Sequence, residues 1–94
     1  MYEIDFSIKA KKDFRKINKS DIQFLYDSLY EFVHNFSNEY ETSLMQTGKI
    51  KKLQGKKEIL YRLKLRTYRV VYKKYKDKLV VLVLHVTTRE KAYK

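Results

Sequence analysis

The chain has no cysteine and only two histidines among its 94 residues. That excludes a disulfide framework and a thiolate zinc site, and two histidines alone make no convincing metal centre. No apolar run approaches the roughly 20 residues that span a bilayer. The N-terminal Met-Tyr-Glu-Ile-Asp opens an apolar run far too short for a secretory leader. The expected location is therefore cytoplasmic, with no membrane partner. Glycine occurs only at Gly48 and Gly55. Acid is scarcest between Lys49 and Lys76, where Glu58 is the single carboxylate against twelve basic residues. That stretch carries the net +11 of the whole chain, and the remaining residues balance. A localised cationic field on a neutral scaffold marks a polyanion-binding surface, with nucleic acid the first candidate. A membrane-surface role would place the bases beside an apolar helical stripe, whereas here they lie mainly on strand-patterned sequence.

Residues 1–94 make one domain, large enough for one small core. The chain is 44% hydrophobic with nine Tyr and five Phe, so it should fold. Tyr2 to Ser7 alternates Tyr2, Ile4 and Phe6 against Glu3, Asp5 and Ser7, the period-two mark of a strand. A short helix is expected from Ile8 to Ile17, with Ala10, Phe14 and Ile17 on one face, broken by Asn18 and Lys19. Ser20 is the expected cap of a second helix, with Gln23 completing a capping box. Ile22, Leu25, Tyr26, Leu29, Phe32, Val33 and Phe36 then recur at the spacing of an apolar helix face. Phe24 and Tyr30 fall beside that stripe, either meeting a partner or widening the core face.

Ser37 to Lys57 has no clean period, and so long a segment hides a helical turn or has a functional task. Ile59–Leu65, Tyr68–Tyr75 and Lys78–Val86 then read as three strands of an antiparallel meander, turning at Arg66-Thr67 and Lys76-Asp77. The third is apolar on both faces, as a central covered strand would be. The expected architecture is α+β: β-α-α-β-β-β, an antiparallel sheet with two N-terminal helices packed on one face.

Within the first two strands of the meander, alternation sends Tyr61, Leu63 and Leu65 one way and Arg62, Lys64 and Arg66 the other. A hairpin turning at Arg66-Thr67 sets Leu65 against Tyr68 and Leu63 against Val70 on the core side. Lys64 then opposes Arg69 and Arg62 opposes Val71 on the other side. Like charges directly opposed cost stability, and a fold tolerates them most readily when an anion sits among them. A two-residue turn without Gly or Asn suits type I′ poorly, which favours a wider turn and a shifted register. His85, on the apolar strand, reads as structural, and His34, on the second helix, as structural or exposed.

The run Tyr61-Arg62-Leu63-Lys64-Leu65-Arg66-Thr67-Tyr68-Arg69-Val70-Val71-Tyr72, the apolar strand, and the tail Arg89-Glu90-Lys91-Ala92-Tyr93 together resemble the RelE/ParE toxin superfamily. Leu53-Gln54-Gly55 is similar to the family's Leu-x-Gly, and Lys9 to Ile17 to its first helix. The likeness covers most of the chain and is weak from Asn38 to Ile50. The full set of basic positions looks more like RelE-type members, which cut mRNA in the ribosomal A site, than like ParE-type gyrase poisons.

The resemblance implies an endoribonuclease, the toxin of a type II toxin–antitoxin system, leaving 2′,3′-cyclic phosphate and 5′-OH ends. Lys64, Arg69, Arg89 and Tyr93 are the implied catalytic residues. Arg62, Arg66, Lys51, Lys52, Lys56, Lys57 and Lys73 are the expected RNA-binding residues. Crowding by Arg62 and Arg69 disfavours the charged form of Lys64, which is how a lysine becomes a base near neutrality. Arg69 matches the arginine that stabilises the scissile phosphate. Arg89 contacts phosphate near the leaving group, and Tyr93 stacks on a base or orients the attacking hydroxyl. Many relatives carry a His where this chain has Thr88. No cofactor is implied. The implied partners are a cognate acidic antitoxin, the ribosome, and mRNA in its A site. Two other readings remain open: a gyrase-poisoning toxin of the ParE kind, and a non-catalytic RNA-binding protein.

Overall fold

The structure, a computed structural model, describes residues 1–54 and 57–88. Its elements are β1 (Glu3–Phe6), α1 (Ile8–Phe14), α2 (Lys19–His34), α3 (Asn38–Gln46), β2 (Ile50–Gln54), β3 (Ile59–Leu65), β4 (Tyr68–Tyr75) and β5 (Val80–Thr88). The strands form one sheet in the order β1-β5-β4-β3-β2. The α+β architecture is the expected one, with two differences. A third helix and a further strand occupy the aperiodic segment, and the sheet is mixed because β1 runs parallel to β5. Four alternating residues at the N-terminus encode a strand but not the direction in which it will pair.

The aperiodicity of the third helix has a local cause. Its inward residue is an acid, Glu41, only 3% exposed, so an apolar-face pattern passes over it. β2 is masked likewise by exposed lysines at positions 51 and 52, between buried Ile50 and half-buried Leu53. Lysine on an edge strand blunts edge-to-edge aggregation. Between the two elements α3 ends in a Schellman motif. The Gly48 N–H donates to the Met45 carbonyl at 3.1 Å and the Lys49 N–H to the Leu44 carbonyl at 3.0 Å. Gly48 takes φ +82° there, which a side chain would disfavour.

Caps set the other boundaries. Asn18, expected as a helix breaker, caps α2 by accepting the Asp21 N–H at 2.9 Å, so the helix begins ahead of Ser20. The Ser20 hydroxyl instead donates to the Asn18 side chain. Ser7 caps α1 through the Ala10 N–H and donates its own hydroxyl to the Leu84 carbonyl at 2.6 Å. α1 stops at Phe14, where i→i+3 bonds from Lys16 and Ile17 tighten the chain.

Leu25, Leu29, Phe32 and Val33 of α2 lie buried on Leu63, Val70, Tyr72 and Val83 of the sheet. Tyr26 stacks on Phe14 with ring centroids 4.8 Å apart, joining the first two helices. Burying such side chains contributes about 1.5–3 kcal/mol each. The opposite face of the sheet carries Lys51, Arg62, Lys64 and Arg69.

Candidate nucleic-acid interface

The hairpin keeps the register that alternation predicts. Leu65 pairs with Tyr68, Leu63 with Val70, Lys64 with Arg69 and Arg62 with Val71. The turn is two residues, not a wider one, because Arg66 adopts φ 54° where glycine is customary. That left-handed backbone costs about 1–2 kcal/mol in a residue with a Cβ. The second turn is longer than Lys76-Asp77. It runs over residues 76–79, with Leu79 also at φ 54°, and β5 starts at Val80.

Directly paired residues share a sheet face, so the pairing continues as rows across several strands. One row on the face away from α2 runs Lys51, Arg62, Val71, His85; the next runs Lys64, Arg69, Thr87. Strands lie about 4.8 Å apart. Lys64 donates its backbone N–H to the Lys49 carbonyl at 2.9 Å, bringing a further lysine alongside the second row.

The two opposed cations differ in setting. Lys64 is exposed, whereas Arg69 is 5% exposed. The Arg69 Nη1 donates to the carbonyls of Tyr68 at 3.0 Å and Arg66 at 3.3 Å, so the turn itself orients the guanidinium. An arginine held this way meets an anion with little further loss of side-chain freedom.

Two expected contacts sit elsewhere, and a third on the same face is ion-paired. Arg66 leaves the row: its guanidinium lies 3.6 Å from the centroid of the Phe24 ring on α2. Lys73 pairs with Glu58 at 2.9 Å, and the Tyr75 and Glu58 side chains raise its pKa. Lys52 pairs with Tyr61 and so occupies a core-side register position at the sheet edge. Lys57 is exposed just before β3. Lys56, Arg89 and Tyr93 lie outside the described residues.

His85 shares the Arg62 row, a placement that its apolar strand conceals in sequence. A bulge inserts Leu84 between the pairs Val71–His85 and Tyr72–Val83, shifting the alternation along β5. Burial pushes the His85 pKa down; the Asp13 carboxylate opposes that shift and Lys9 adds to it.

Lys74 is turned away from the cationic face toward α3. Its Nζ contacts the Glu41 carboxylate, whose other oxygen accepts the Tyr72 hydroxyl at 2.6 Å. Desolvation opposes the Lys74 charge, yet Glu41 outweighs it and the net shift is upward. The Tyr72 pKa is raised strongly, first by burial and then by Glu41.

No protein-family model matches the chain, and no curated protein sequence does. Solved structures do. A chain of the intact E. coli RelBE toxin–antitoxin complex is 30% identical, with a TM-score of 0.67 over 94% of this chain and 96% of that one. The archaeal RelE-RelB complex from Pyrococcus horikoshii OT3 contains a chain 22% identical, TM-score 0.68, over 94% of each. YafQ from E. coli is 15% identical and shares the fold over the full length of both chains, TM-score 0.70.

Proposed function

The chain belongs to the RelE family of toxins, and from that premise we propose that it is the endoribonuclease of a type II toxin–antitoxin pair. In this reading it cleaves mRNA in the ribosomal A site and is neutralised by an acidic antitoxin. The observation that carries the reading is the pair Lys64–Arg69, two cations directly opposed at the centre of a basic face.

The reaction is an internal transesterification. A base takes the proton from a ribose 2′-OH, and the 2′-oxygen forms a bond to the adjacent phosphorus. The P–O5′ bond then breaks and the 5′-oxygen takes a proton from water, giving a 2′,3′-cyclic phosphate and a 5′-OH end. Lys64 is the base in this scheme, set directly opposite Arg69 across the hairpin. Arg69, oriented by two turn carbonyls, stabilises charge developing on the phosphorane. Arg89 contacts phosphate at the leaving group, and Tyr93 orients the nucleotide. Lys51 and Arg62 hold the flanking phosphates along the adjoining row.

Brief induction followed by mapping of 5′-OH ends in cellular mRNA tests the proposal. New ends confined to translated messages are expected, and Lys64→Ala or Arg69→Ala should lower their yield by roughly 100-fold or more. Folded variants that cleave like the natural chain overturn the assignment. Intact mRNA with an SOS response selects gyrase poisoning instead. Salt-dependent RNA binding without any product selects a non-catalytic RNA-binding protein.

A further inference from the structure

A cleft of about 320 Å³ lies on the helix side of the hairpin, between α2, α3 and the end of β3. Phe24, Ser28 and Glu31 form its α2 wall, spaced along about 10 Å of helix axis. Its floor includes Phe32, Leu63 and Leu65, and Lys49, Lys64 and Arg66 line the side toward the cationic rows. Arg66 is exposed while its guanidinium covers the Phe24 ring at 3.6 Å. Guanidinium planes and aromatic rings are the surfaces on which single-stranded RNA bases stack.

We infer that this cleft holds one unstacked nucleobase of the RNA, carrying an exocyclic amino group and stacked on the Phe24–Arg66 pair. The inference rests on the nuclease reading and extends it to a second nucleotide site. Three observations converge. The cleft lies at the small end of ligand-binding volumes, which begin near 300 Å³, and so suits one base better than a folded chain segment. Lys64, at the end of the β2–β3 pairing, borders the cleft and pairs with Arg69, so the RNA backbone passes from one sheet face to the other around this end of β3. Glu31 is the single acid among the lining residues. A carboxylate there accepts a hydrogen bond from a base amino group, as acidic side chains do with cytosine N4. The Ser28 hydroxyl offers a second donor or acceptor at the same wall.

The test uses the full chain and 2′-O-methyl oligo(C) and oligo(U) heptamers, which lack the attacking hydroxyl and stay uncut. Affinity is read by fluorescence anisotropy over a salt series. Oligo(C) should bind more tightly than oligo(U), and Glu31→Ala should abolish that difference. Ser28→Trp, which fills the cleft, should weaken oligo(C) about tenfold. Phe24→Leu should do the same with the salt slope unchanged, because it deletes stacking and no charge. Thermal melting shows which variants are folded. Folded Ser28→Trp and Phe24→Leu proteins that bind oligo(C) like the natural chain overturn the inference. So does a Ser28→Trp protein that loses an acidic protein partner while binding RNA normally. Loss of oligo(C) binding in these variants, without any mRNA cleavage by the natural chain, overturns the nuclease reading and leaves the base site standing.

Discussion

The Asp13 carboxylate accepts the backbone N–H of Val86 at 2.9 Å, fastening α1 to β5 beyond the point where β1 stops pairing. Its other oxygen accepts from Lys9 at 2.7 Å. Asp13 is 7% exposed, so the bond satisfies an amide that would otherwise be buried without a partner. It also holds the end of the strand that leads to Arg89.

Asp13→Ala should destabilise the protein by about 2 kcal/mol, the cost of an orphaned buried amide. The lost stability would appear as a lower urea midpoint with an unchanged slope. Asp13→Asn, which keeps an acceptor oxygen, should recover much of it. A full loss in the Asn variant would mean that the charge, paired with Lys9, matters more than the acceptor.

Glu41→Ala should cost roughly 3 kcal/mol, because it strands the Lys74 ammonium and the Tyr72 hydroxyl. The same cluster predicts alkaline sensitivity. Tyr72 and Lys74 both have pKa values raised by folding, so the folded state keeps protons that the unfolded chain releases near pH 10. Their stabilisation is present below that pH and is lost as pH rises beyond it. Thermal melts from pH 8 to 11 should fall more steeply in the natural chain than in Tyr72→Phe. Parallel curves for the two proteins would contradict this.

His85 works at the other end of the scale. Its pKa is lowered in the folded state, so below about 6.5 the unfolded chain binds the proton more readily. Stability should therefore be complete above that pH and decline as pH falls toward the folded value. The groups acting on it are Asp13 and Lys9 of α1. His85→Gln should flatten urea midpoints between pH 7 and 5, and an unchanged profile would remove His85 as the titrating group.

Lys51→Ala should reduce the slope of log affinity against log salt for single-stranded RNA by about one phosphate contact. Lys78→Ala, outside the cationic rows, should leave that slope as it is. Equal effects from both would mean that the protein attracts RNA by net charge and not through this face.

Much of the proposed site was legible in the chain itself. A period of two in Tyr61–Leu65 and Tyr68–Tyr72 determines which residues share a face. A two-residue connection between them then opposes Lys64 to Arg69. The stripe along α2 is equally local, since residues three and four apart meet by helix geometry alone. What escaped was whatever depends on partners distant in sequence. α3 hid because Glu41 becomes a core residue only once Tyr72 and Lys74 surround it. Arg66 reads as one more cation in a row until the turn backbone carries it over to Phe24.

The sequence by itself determined the strand faces, the principal helix and the place where positive charge collects, because each follows from spacing along a few residues. Only the tertiary structure decided that β1 pairs in parallel, that Lys74 faces inward, and that α2 supplies one wall of a cleft beside Lys64. Those outcomes depend on contacts between segments tens of residues apart, and no local periodicity encodes them.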